Sequence, residues 1–175
     1  MFLAHAGEAA FFSNEHIHVL INHLPVIGLG MAILGLALAL MHHSRKTEMV
    51  ALILVLVAAA SAWPVTFTGQ RAYKSVRAIT DEAGTAWLDE HMERAEKVAP
   101  AFYVLALLTA AALVAPHKWP RTTRPLAIAT LALALLCEAA GGWVAIAGGQ
   151  IRHPEFRGEP PPSEPAEHHT HDPNP

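Results

Sequence analysis

His16-Ile-His18-Val-Leu-Ile-Asn-His23-Leu-Pro25-Val-Ile-Gly-Leu-Gly-Met-Ala-Ile-Leu-Gly-Leu-Ala-Leu-Ala-Leu-Met-His-His-Ser44 runs without a single Asp, Glu, Lys or Arg. A bilayer hydrocarbon core of about 30 Å is crossed by about 20 apolar residues of helix, so this stretch is long enough to span it. Three more stretches have the same character: Met49 to Gln70, Val98 to His117, and Pro125 to Ile151, the last interrupted only by Glu138. Across the chain 53% of residues are hydrophobic and 15% charged, with the charges crowded into the gaps between these runs. That distribution predicts an all-α, membrane-embedded, antiparallel four-helix bundle.

Three regions follow: an N-terminal segment over residues 1–15, the helical domain over 16–155, and a tail over 156–175. From Glu159 onward the chain is rich in Pro and poor in apolar surface, a composition expected to stay disordered. The N-terminus has no basic region ahead of its apolar part, and the first uncharged run is longer than a signal-peptide core, so no cleavage is expected. Arg45 and Lys46 lie between the first two runs, and Lys118, Arg121 and Arg124 between the last two. By the positive-inside rule both loops are cytoplasmic, and both termini are outside, in a bacterial inner membrane. The connection from Arg71 to Lys97 carries a mixture of basic and acidic residues and is placed outside by helix alternation alone.

Trp63-Pro64 predicts a kink in the second span, because proline removes one backbone donor. Trp87, Leu88, His91, Met92, Ala95, Val98, Ala99 and Phe102 recur at the spacing of one helical face, so the third helix should begin well before its uncharged run, with Pro100 as a second kink point. In the fourth span Glu138, Gly142, Ala145, Gly149 and His153 form a comparable stripe whose bare backbone admits a neighbouring helix or a flat macrocycle.

Four histidines, His18, His23, His91 and His153, fall at the same, outer end of the four helices. Imidazole is a good axial ligand for haem iron, and bundles build such sites from facing helices. His18 and His23 are five residues apart, about 140° around a helix, and cannot both point at one central axis. His23 lies about 7 Å deeper than His18 and is the harder of the two to explain as an interface residue. The expected pair is therefore His23 with His91, with His18 and His153 as a second pair or as support. Each has a bland alternative as well, as an interface or packing histidine.

His42, His43 and His117 sit at the opposite ends of their spans and are read as solvated loop residues, whereas His168, His169 and His171 form a tail tract of the kind that holds transition metals weakly or serves only as a passive polar tail. Glu138 is the one carboxylate inside a span, where acids face the bundle interior and often serve proton pathways, the alternative being a neutral, hydrogen-bonded carboxyl. Asn22 and Gln70 are candidates to bond the ligand histidines, and Arg71 and Arg152 to pair with haem propionates, or simply to anchor the interface. Cys137 is the single cysteine, which excludes intrachain disulfides and thiolate-rich metal clusters. The net charge of -3 implies no nucleic-acid partner. No phosphate loop, dinucleotide fingerprint or nucleophile-base arrangement is visible.

His18-Val-Leu-Ile-Asn-His23-Leu-Pro25 resembles the first span of an uncharacterised family of four-helix bacterial membrane proteins, which opens with His-Pro-x-x-Val-His-Phe-Pro. Val19 stands for that family's first proline and Leu24 for its phenylalanine. Thr68-Gly69 is similar to the pair that ends the family's second span, His91-Met92 matches its third-helix element loosely, and Gly142-Trp143 with Gly148-Gly149 ahead of His153 is similar to its closing motif. The resemblance covers roughly residues 14–155 and implies a haem-binding or redox-associated membrane module.

These readings give three expectations. The first is an electron carrier with one or two b-type haems near the periplasmic face, exchanging electrons with quinone in the membrane and with a periplasmic protein or a larger respiratory complex. The second is a transition-metal-binding membrane protein that uses the outer histidines and the tail. The third is a cofactor-free accessory subunit of a respiratory complex.

Overall fold

A computed structural model describes residues 13–158, so the tail histidines lie outside the described residues. All of the described regular structure is helical. Four stretches are long and apolar enough to cross a membrane: Asn14–His42, Arg45–Arg77, Glu82–His117 and Pro120–Arg152.

The first stretch is built in three pieces. Helix α1, Asn14–Ile21, is capped by Ser13, whose hydroxyl accepts from the His16 N–H at 3.2 Å. Pro25 cannot donate to the turn before it, and the chain responds with a π-turn over Leu24–Gly28, in which Gly28 N–H reaches the His23 carbonyl at 3.2 Å. Regular helix resumes as α2, Leu29–His42, and ends with His43 in the left-handed conformation at φ 54°. The extra residue in the π-turn rotates α1 relative to α2.

The second stretch contains α3, Arg45–Ala60, and α4, Ala62–Arg77, separated by a one-residue break at Ser61. Pro64 explains the break, since it leaves a carbonyl one turn back without its usual donor. Hydroxyls gather around the interruption: Ser61 donates to the Ala58 carbonyl at 2.7 Å, Thr66 to Ala62 at 2.8 Å, and Thr68 to Pro64 at 2.8 Å.

Helix α5, Glu82–Val114, begins far ahead of its uncharged run, as its apolar stripe predicts, and continues unbroken through Pro100. Asp81 caps it by accepting from Gly84 N–H at 2.8 Å. Helix α6, Thr123–Arg152, follows two short 3₁₀ turns.

The helices pack through small residues. A side chain added at Gly28 would meet Ala58, one at Gly35 would meet Ala51, and one at Gly141 would press on Phe102 and Val26 at 3.3 Å. Leu29, Leu36, Leu52, Val55 and Leu105 fill the centre, with alanines between them. The residues facing outward are themselves aliphatic, Met31, Leu34, Leu38, Val50, Leu107 and Leu136 among them. A second cluster, Trp87, Leu88, Ala147 and Ile151, closes the end that carries the histidines.

The inward face of α6 differs from the stripe read from the sequence. Ala134, Cys137, Gly141, Ala147 and Ile151 face inward, whereas nothing lies within 4 Å of a side chain built at Gly142. Both sets share the same helical period, and the packing selects the one that places Gly141 against Phe102 and Gly148 against His91.

Candidate site at the histidine end

Helix α1 lies on α4, and α5 lies on α6 along its length. Each of these pairs encloses one imidazole. His18 Nδ1 is 3.0 Å from the Val65 carbonyl, and His91 Nδ1 is 3.0 Å from the Val144 carbonyl. A carbonyl only accepts, so in both rings Nδ1 carries the proton and donates. The tautomer is thereby fixed, and Nε2 keeps its lone pair. Neither Nε2 has a hydrogen-bond partner among the described residues. Both side chains are half-buried, and hydrogen bonds from Gln70 to Glu96 and from Tyr73 to Asp89 tie α4, against which His18 packs, to α5, which carries His91.

A glycine makes room for each ring. A Cβ at Gly69 would sit 2.9 Å from His18 Cε1, and a Cβ at Gly148 would sit 3.1 Å from His91 Cε1 and Nδ1. Such distances require the ring to shift. Thr68, buried beside His18, donates to the Val65 carbonyl at 3.1 Å and approaches His18 Nδ1 at 3.5 Å.

The α5–α6 pair is clamped a second time one turn below His91. Arg94 donates to the Trp143 carbonyl at 3.0 Å, lies 4.4 Å above the Trp143 ring, and is held by Glu90 at 2.6 Å. Tyr73 on α4 donates to Asp89 on α5, and Arg77 reaches both. At the rim Arg157 forms a two-pronged ion pair with Asp81 at 2.8 and 2.9 Å and donates to the Gln150 and Ile151 carbonyls at 2.7 and 2.9 Å. Residue 157, which the sequence reading assigns to the tail, thus caps α6 and ties it to the start of α5. Hydrogen bonds from Arg157, then from Gly84 N–H, hold the Asp81 carboxyl down at about 2.

The other candidates stand apart from this pair. His23 is exposed at the junction of α1 and the π-turn, because the turn forced by Pro25 leaves it outside while His18 points in. His153 is exposed too, donating to Glu155 at 2.9 Å and stacking on Phe156 at 4.9 Å between ring centres. The hydrogen bond from His153 lowers the Glu155 carboxyl below its ordinary value. Arg71 lies 4.2 Å above the Phe67 ring, beside an open groove of about 630 Å³ that it lines with Lys74, Asp89 and Glu93. Arg152 donates to the Ile79 carbonyl at 3.4 Å. Glu138 lies half-buried over Gly30, with Oε1 3.2 Å from the position a Cβ would take there, and its Oε2 is buried with no partner among the described residues.

Of the residues expected to steady the histidines, Gln70 donates to Glu96 at 3.4 Å and Asn22 Oδ1 is buried without a partner among the described residues, so neither carries the role at His18 or His91 that the sequence suggests. The steadying groups are instead the Val65 and Val144 carbonyls, Thr68 and the two glycines. One signal for them was present in the sequence: Val65 and Val144 each stand four residues before a glycine and one or two residues after a tryptophan. Among the described residues no three His, Cys, Asp or Glu side chains converge as a metal-ion site. Comparison with family models, with curated proteins and with solved structures returns no match for this chain.

Proposed function

We propose that this chain is an integral protein of the bacterial inner membrane that binds b-type haem through His18 and His91 and carries electrons near the periplasmic face. One observation carries the reading: both imidazoles have Nδ1 committed to a backbone carbonyl, which leaves Nε2 as a lone-pair donor of fixed orientation. That is the form in which histidine ligates iron. Two such donors suffice for haem, because the porphyrin supplies the other four, whereas a bare transition-metal ion needs more protein ligands than converge among the described residues.

The membrane setting is supported by the four long apolar helices and by their aliphatic outward faces. Gly28 beside Ala58 and Gly35 beside Ala51, like Phe102 beside Gly141 and His91 beside Gly148, support an antiparallel arrangement of the first span with the second and of the third with the fourth. With the basic loops at Arg45–Lys46 and Lys118–Arg124 inside, the histidine end and both termini lie outside. The likeness of the His18–Pro25 run to the uncharacterised four-helix family points the same way.

When bound, haem supplies one-electron chemistry. The residues of the chain fix the rest. The Val65 and Val144 carbonyls set imidazole orientation and basicity, the Trp87–Leu88–Ala147–Ile151 cluster keeps water from the site, and Arg71 and Arg152 offer guanidinium groups to propionates at the same end. Electron exchange is with quinol in the membrane and with a periplasmic acceptor or a larger respiratory complex. The test is the absorption spectrum of the full-length protein purified from haem-replete cells, oxidised and then reduced with dithionite. Six-coordinate b-type bands are expected. Protein that stays colourless with haem supplied would reject the reading.

A further inference from the structure

The surroundings of His18 and His91 match group by group. His18 bonds the carbonyl of a valine 47 residues later, and His91 that of a valine 53 residues later. Four residues beyond each valine stands the glycine on which the ring packs, Gly69 and Gly148. A tryptophan precedes each valine, in Trp63-Pro64-Val65 and in Trp143-Val144, with Pro64 as the one additional residue. Both tryptophan rings are exposed on the outer surface. Each histidine is also followed by a proline on its own stretch, Pro25 after His18 and Pro100 after His91.

The order of parts is the same in both halves: imidazole, proline, loop, tryptophan, valine carbonyl, glycine. Residues 14–77 hold one set and residues 82–152 the other. His23 and His153 have no counterpart of this arrangement among the described residues, where both are exposed and neither ring is paired with a carbonyl or a glycine on a neighbouring helix.

We infer that the chain is a tandem repeat of one helical hairpin, and that the two hairpins form equivalent halves of a single site which shares one planar, two-faced ligand. One imidazole comes from each repeat. The inference rests on the haem reading above and narrows it to one haem per chain, with no second site at His23 and His153.

Two measurements on the full-length protein test it. The ratio of haem to protein, from the pyridine haemochrome and amino-acid analysis, is expected to be one. His18→Ala and His91→Ala are each expected to convert the spectrum from six- to five-coordinate and to weaken haem retention within about twofold of one another. A ratio of two, or a six-coordinate spectrum that survives either substitution, overturns the shared site and leaves a haem protein. Absence of haem overturns the haem reading itself.

A readout independent of haem is the ¹⁵N spectrum of the imidazoles in haem-free protein. It is expected to show two protected Nδ1–H tautomers, one removed by Gly69→Ala and the other by Gly148→Ala. If both tautomers are absent, or both respond to the same glycine, the two-repeat account is wrong.

Discussion

At His18 and His91 one ring nitrogen is engaged by a main-chain carbonyl rather than a carboxylate, the kind of outer contact that orients a ligating imidazole. No formal charge is therefore added to the site. The Thr68 hydroxyl beside His18 divides its one proton between the Pro64 carbonyl at 2.8 Å and the Val65 carbonyl at 3.1 Å. Thr68→Val removes that hydroxyl at nearly constant volume. We expect a loss of about 0.5–1.5 kcal/mol in stability, the usual worth of one hydrogen bond, with the His18 tautomer retained. Denaturation in detergent together with the imidazole spectrum checks both parts, and loss of the His18 Nδ1–H signal would mean that Thr68, not Val65, orients the ring. Residue type and depth alone favoured His23 over His18. The bend that Pro25 introduces reverses that order, because it leaves the deeper ring outside and turns the shallower one inward.

At the scale of elements, the π-turn at Leu24–Gly28 and the clasp at Asp81–Arg157 decide where the two imidazoles stand. Deleting Leu24 removes the additional residue and rotates α1 by about 100° relative to α2. His18 should then leave Val65, so the spectrum of the deletion variant is expected to match that of His18→Ala; an unchanged spectrum would show that the π-turn does not aim the ring. The clasp is electrostatic. Arg157 holds the Asp81 carboxyl at about 2, below the ordinary value of about 3.9, so the folded chain binds that proton more weakly than the unfolded chain. The contribution of the clasp is complete above about pH 4 and is lost as pH falls through about 2. Amide exchange at the start of α5 and the end of α6 should accelerate over that window. Asp81→Asn should show the faster exchange already at neutral pH, and identical exchange in the two proteins at pH 7 would remove the clasp from the account.

For the whole molecule, the sequence was informative wherever a single physical variable decides. Apolar length located the four helices, and the His91 stripe located the early start of α5, because burying apolar surface leaves little choice. Contacts between helices were less legible. The inward face of α6 is not legible in the sequence, since Gly141 and Gly142 are alike in composition and only contacts across the bundle, with Phe102 and Val26, distinguish them. The carbonyls that orient His18 and His91 leave only an indirect trace, a valine four residues before a glycine, and nothing in the sequence shows that the Arg94 guanidinium covers Trp143. The proposed topology is tested separately, with single cysteines in a Cys137→Ser background. A cysteine at Ile79 should react with an impermeant maleimide added outside spheroplasts, one at Lys118 should react only after lysis, and the opposite pattern would invert the bundle. The claim on which the functional account stands is that His18 and His91 together, and not His23, are the protein ligands of one haem. It is tested most directly by the reduced-minus-oxidised spectra of His18→Ala, His91→Ala and His23→Ala recorded side by side: the account predicts loss of six-coordinate bands in the first two and their full retention in the third, and it is contradicted if His23→Ala loses them while either of the others keeps them.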